Sequence, residues 1–176
     1  MALVATSLSP TAGRIASEKI DRIAGSLLAP NEILIFTEHD VNSYLTYESP
    51  PQIPAGVSNV RVQILPNRAV IDVDVDLREF VLPDTPRPGI LLDLLLRGKR
   101  HFSLQCTLIS ADGVGTINVI AIAIDGTTLE GSFLAWFLEE FLTLEMVGVR
   151  FGQPILLPKN LDYIRLQSSR VVVKGI

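Results

Sequence analysis

The stretch Thr37-Glu38-His39-Asp40-Val41-Asn42-Ser43-Tyr44-Leu45, together with the hairpin after it, decides how the chain folds. Thr37 is a favourable helix N-cap, and Asp40 stands three residues on, where a carboxylate reaches back to the cap amide. Glu38 and Asp40 occupy the first turn, at the positive end of the helix dipole. Val41, Tyr44 and Leu45 share one face at i, i+3, i+4 spacing. Downstream the period changes to two. Val60, Val62 and Ile64 alternate with Arg61 and Gln63, and Ile71, Val73, Val75 and Leu77 alternate with Asp72, Asp74 and Asp76. Leu65-Pro66-Asn67 is the turn between these runs. The reading is a short helix, then a hairpin with one dry and one wet face.

Outward from this stretch, Ser9-Pro10 is a cap followed by proline at the first helical position. Ala12, Ile15, Ala16, Ile20, Ile23 and Leu27 keep a helical period to about Leu28, and Pro30 ends it. Ile33 to Phe36 suits a brief strand or a lead-in to the Thr37 helix. On the other side, Leu82 to Gly89 is a loop with three prolines, too short for a domain linker. Ile90 to Leu96 reads as a two-turn leucine helix closed by Gly98. Strand-like runs follow over Lys99–Ser110 and Val114–Ile124, punctuated by Asp112-Gly113 and Asp125-Gly126. The second run carries apolar residues at both parities, which predicts a strand covered on both sides. Ser132 caps a helix rich in Phe133, Trp136, Phe137 and Phe141, ended by Gly148. Pro154 to Pro158 leads into a last hairpin, Leu161–Gln167 and Arg170–Val173.

The two proline-led hairpins echo each other. Pro54-x-x-Val57-x-x-Val60-Arg61-Val62-Gln63 matches Pro158-x-x-Leu161-x-x-Ile164-Arg165-Leu166-Gln167, and Arg68-Ala69-Val70 after the first turn echoes Arg170-Val171-Val172 after the second. The pattern is architectural.

Composition narrows the function. The 176 residues suffice for one domain with a sizeable core, residues 1–8 reading as a flexible N-terminus. Apolar residues make up 48% and charged ones 19%, with a mean hydropathy of +0.37, more apolar surface than an ordinary exterior needs. A net charge of −4 and the sparse basic group Arg97, Lys99, Arg100 argue against nucleic acid. No segment reads as a membrane-spanning helix or signal peptide. A periplasmic or envelope location therefore calls for a leader or anchor outside this sequence; otherwise the expectation is cytoplasmic.

The candidate chemistry is thin. Asp72-x-Asp74-x-Asp76 resembles the start of a calcium loop, but Leu77 and Pro83 stand where glycine and a bidentate glutamate are needed, so it reads as a solvated strand face. His39 and His101, the only histidines, lack neighbours at zinc-ligand spacing. Cys106, the single cysteine, lies in an alternating apolar run and reads as a small buried hydrophobe. No nucleophile elbow, dinucleotide fingerprint or phosphate loop is present. The expectation is a chain without catalysis, cofactor or metal.

The Thr37-Glu38-x-Asp40-Val41-Asn42-x-Tyr44-Leu45 helix, the Pro54-x-Gly56-Val57-x-x-Val60-x-Val62 strand and the closing Leu157-Pro158-x-x-Leu161-x-x-Ile164-x-Leu166 hairpin together resemble bacterial tubular lipid-binding (TULIP) proteins, relatives of the bactericidal/permeability-increasing and SMP domains. Asp40 stands where that family's helix carries glutamate. The resemblance implies an α+β fold, a curved antiparallel β-sheet wrapped around one long helix plus short helices, with an apolar groove between sheet and helix. It implies a lipid or other hydrophobic small molecule as partner, and a membrane surface as a place of exchange. The groove would be lined by Phe133, Trp136, Phe137 and Phe141, by Leu91, Leu94 and Leu95, and by Ile71, Val73 and Val75. At about 0.8 kcal/mol per buried CH₂, a palmitoyl-length chain supplies about 12 kcal/mol before ordering costs. The alternative is a structural or interaction module with a filled core, dimerising through Ile90–Leu96.

Overall fold

Residues 7–48, 53, 55–76, 98–131 and 151–176 are described by the computed structural model. The Ser9 hydroxyl accepts the Ala12 amide and starts helix α1 (Pro10–Ala24). The helix stops a turn before Leu28, because Ser26 takes a left-handed φ of 55°. The Ser26 and Leu27 amides then turn back to the Ile23 and Arg22 carbonyls, at 3.0 and 2.8 Å, closing the helix end. This bend sends Leu28 into the core.

The run after α1 resolves as strand β1 (Ile33–Thr37), followed at once by α2 (Glu38–Tyr47). The expected capping box is formed: Thr37 Oγ1 accepts the Asp40 amide at 3.1 Å, and Asp40 Oδ2 accepts the Thr37 amide at 2.9 Å. The two helices pack closely at Gly13, where an added Cβ would lie 2.9 Å from the Ser43 carbonyl oxygen.

The remaining strands are β2 (Val57–Leu65), β3 (Arg68–Asp76), β4 (Lys99–Ala111), β5 (Val114–Ile124), β6 (Thr127–Leu129), β7 (Pro154–Leu156), β8 (Leu161–Gln167) and β9 (Arg170–Gly175). They form two antiparallel sheets. The larger runs β2-β3-β4-β5-β6, with β7 also on β5; the smaller runs β1-β9-β8. Asp112-Gly113 and Asp125-Gly126 each make a two-residue hairpin loop with both residues at positive φ.

The expected single sheet around a long helix is therefore overturned. Strand accounts for 53% and helix for 21% of the described residues, and no long helix is wrapped by sheet among them. Closure at Ser26 limits α1 to 15 residues, and α2 has only 10. The helices lie against each other, α2 runs beside β2, and both pack on Leu34, Phe36, Leu161 and Val173 of the small sheet rather than inside a sheet. The three-proline loop, the leucine helix and the aromatic helix read from the sequence lie outside the described residues.

The two sheets are joined through the echoing hairpins. Asn67 in the β2–β3 turn donates its amide to the Leu166 carbonyl at 3.0 Å, and Ser169 in the β8–β9 turn donates to the Ile64 carbonyl at 2.9 Å. Both turn residues have left-handed φ, 56° and 58°. The exchange is reciprocal, and it aligns Ile64 with Leu166 and Asn67 with Ser169. That is the spacing of the arginines after the turns, two residues short of the spacing given by the strand match. The hairpin equivalence is set by the turns.

Candidate functional site

Side chains on the large sheet segregate by alternation. Ala69, Ile71, Val73 and Val75 of β3 lie on the same side as Phe102, Leu104 and Cys106 of β4, by the register Ala69–Cys106, Ile71–Leu104 and Val73–Phe102. On β5 the phase shifts once. Gln105 pairs with Ala121 but Cys106 pairs with Val119, leaving Ile120 as an extra residue. This β-bulge puts Val119 on the dry side with Ile122 and Ile124, and leaves Ile120 exposed. The expectation of a strand covered on both sides is corrected accordingly: the mixed parity records a bulge.

The dry side divides into two clusters. Under the small sheet, Ile64, Ala69 and Cys106 pack with Leu166, and Ile71, Leu108 and Val171 adjoin them. Towards the β5–β6 hairpin a second cluster holds Phe102, Ile122 and Leu129, with Val73, Val75, Leu104, Val119 and Ile124 half-buried around them. Every described member of this second cluster comes from β3, β4, β5 or β6, and all eight side chains are apolar. Across four strands the wall is about 14 Å wide.

Of the groove residues read from the sequence, Val73 and Val75 belong to this wall. Ile71 adjoins the neighbouring cluster under the small sheet. Phe133, Trp136, Phe137, Phe141, Leu91, Leu94 and Leu95 lie outside the described residues. Sequence reasoning missed Arg100. It pairs with Val75 and is in phase with Phe102 and Leu104, so it stands at the end of the apolar wall. Its Nη1 meets Asp125 Oδ2 at 2.9 Å, and Asp125 Oδ1 accepts the His101 amide at 3.0 Å. That amide first, and the guanidinium after it, hold the Asp125 carboxyl below its ordinary range.

The opposite, wet side carries the aspartates. Asp74 accepts the Asn59 side-chain amide at 2.7 Å and the His101 Nδ1 contact at 3.0 Å, with Lys99 Nζ at 3.4 Å. Asp72 lies 3.7 Å from His101 Nε2. The Asn59 hydrogen bond, then His101 and Lys99, pull the Asp74 pKa down to about 2. A carboxylate favoured by folding contributes stability above the unfolded carboxyl range and loses it as the pH falls through its own pKa. Wild type should thus lose about 1 kcal/mol more than Asp74→Asn between about pH 4 and 2, after allowance for solvent screening. Urea titrations at stepped pH check this; parallel curves would refute it.

His39 turns its Nε2 to the Ser7 carbonyl at 3.1 Å. Cys106 is buried, and desolvation pushes its thiol pKa up, away from nucleophilic use. Among the described residues no group of histidine, cysteine and carboxylates is placed to hold a metal. Arg61 is hydrogen-bonded to Thr46 Oγ1 at 2.8 Å, and Arg165 stacks over Tyr163 at 4.2 Å. No family model matches the chain, and no curated protein matches it.

Proposed function

We propose that the chain binds a lipid or another hydrophobic ligand against the dry side of the large sheet, on the wall built by β3 to β6. The observation that carries this reading is the wall itself. Val73, Val75, Phe102, Leu104, Val119, Ile122, Ile124 and Leu129 form a continuous apolar cluster, its Phe102, Ile122 and Leu129 shielded from water, to which, among the described residues, neither the small sheet nor the helices contribute. Such a surface offers burial and no reactive group, so recognition rests on area. At about 25 cal/mol per Å², a few hundred Å² of ligand buried here amounts to several kcal/mol.

Native mass spectrometry of the chain purified from cells, with organic extraction, tests the reading. The expected result is a hydrophobic molecule that copurifies and is displaced by Nile red. A second expectation concerns Leu104, half-buried near the centre of the wall. Leu104→Trp should put an indole where the ligand would lie and reduce the copurifying molecule about tenfold, while circular dichroism keeps its strand signature. A protein that carries nothing extractable and takes up no Nile red would overturn the proposal.

A further inference from the structure

A β-strand that turns apolar residues to one side rarely includes an arginine in the same phase, because a buried guanidinium needs partners. Arg100 breaks that rule at the end of the wall, beside Val75 and Phe102. Its side chain as a whole is one-third exposed, at 33%. Asp125 takes only Nη1. The edge formed by Nε and Nη2, which suits bidentate contact with a carboxylate or phosphate, is not the one Asp125 uses. Nε itself is buried and has no hydrogen-bond partner among the described residues.

Asp125 is fixed in turn. Its carboxylate accepts the His101 amide, and its own amide donates to the His101 carbonyl at 2.8 Å. The carboxylate is thus anchored to the backbone of the strand that carries Arg100, and it holds one corner of the guanidinium in place. The neighbouring cation Lys99 is committed to Asp74 on the other side of the sheet.

We infer that Arg100 receives the anionic head of an amphiphile whose hydrocarbon tail lies along the wall. This rests on the hydrophobic-ligand reading above and narrows its ligand to a fatty acid or other single-headed anionic lipid. With the head at Arg100, level with Val75, the tail passes Val73, Phe102 and Ile124, then Leu104 and Ile122. Arg100 to Leu104 along β4 is about 13 Å. Asp125 acts as a positioning residue, since it touches the guanidinium and not the ligand.

Nile red displacement by dodecanoate and by its uncharged methyl ester tests this at neutral pH on the whole chain. Wild type should prefer the acid by about tenfold or more, the strength of a charge-assisted pair. Arg100→Gln should lose that preference while still binding the ester. Arg100→Lys should keep a part of it, because a point charge lacks the fork. Asp125→Asn should weaken acid binding while leaving ester binding unchanged, and circular dichroism should show all three variants folded. Equal binding of acid and ester by wild type, or a preference that survives in Arg100→Gln, would overturn the head-group role and leave the carrier reading standing. Failure of both probes to displace Nile red, or of Nile red to bind, would overturn both readings.

Discussion

Replacing Asn42 with leucine should lower the unfolding free energy by about 3 kcal/mol, although the change is nearly isosteric and improves helix propensity. Asn42 is buried in α2 at 8% exposure. Its Nδ2 donates to the Val62 carbonyl at 2.7 Å and the Glu38 carbonyl at 3.0 Å, and its Oδ1 accepts the Val62 amide at 2.8 Å. The side chain therefore pairs with the edge of β2 as a neighbouring strand would. Leucine supplies neither donor nor acceptor. It strands a part-buried N–H and a part-buried C=O, at about 1–3 kcal/mol each. The helix propensity gained is only about 0.5 kcal/mol, so the loss dominates. Urea denaturation should show a lower midpoint with an unchanged slope. Asn42→Asp separates hydrogen bonding from shape. Its carboxylate keeps the Val62 amide but faces the Val62 carbonyl, so the Asp variant should be weakest at neutral pH and recover as acid protonates it. An Asn42→Leu midpoint equal to wild type would show that the edge needs no partner there.

The same edge shows what the sequence could disclose. Thr37 and Asp40 form their capping box from residues three apart, and local spacing was enough to read it. The hairpins β2–β3, β4–β5 and β8–β9 were legible because their alternation and turn residues are local too. Asn42 looked like a polar residue on a short helix. Its partner is 20 positions away, and no pattern within the helix names it. Glu38 likewise read only as a dipole-favouring acid, yet its Oε2 accepts the Ile64 amide at 2.7 Å. The architecture failed for a related reason. Helix and strand periods reveal which side of an element is dry, not what covers it; α2 seals the edge of β2, and α1 packs with it on the small sheet rather than filling a groove.

The site was legible in part. Val73 and Val75 fall on the wall because a strand's period is two and β3 has no bulge against β4. The bulge at Ile120 was hidden, since extra residues leave no mark when both parities are apolar. Arg100 belongs to a sparse basic group, but its phase is readable: Arg100, Phe102, Leu104 and Cys106 share one parity. An arginine in step with apolar residues is the signal that would have found it.

Removing the Ser110 hydroxyl tests the second place where a side chain closes a strand edge, and Ser110→Ala should cost about 2 kcal/mol. Ser110 Oγ on β4 donates to the Ile164 carbonyl at 2.6 Å and accepts the Ile164 amide at 2.7 Å. Ile164 corresponds to Val62 when the hairpins are aligned by their turns, so Ser110 does for β8 what Asn42 does for β2. The rest of that edge is closed by backbone: Gly113 donates to the Asp162 carbonyl at 2.9 Å, and Asn67 to that of Leu166. Alanine leaves the middle position open between two closed ones. The expected loss is smaller than at Asn42, because Ser110 is half-buried and water can reach part of the gap. Ser110→Thr retains the hydroxyl and should stay near wild type. Amide exchange distinguishes a local from a global effect. In Ser110→Ala the Ile164 amide should exchange far faster than the drop in overall stability alone predicts, while the Val62 amide, held by Asn42, should follow only that overall drop. Equal acceleration at both would mean that the two hairpins open together, and that the reciprocal contacts at Asn67 and Ser169, rather than Ser110, hold the sheets in register.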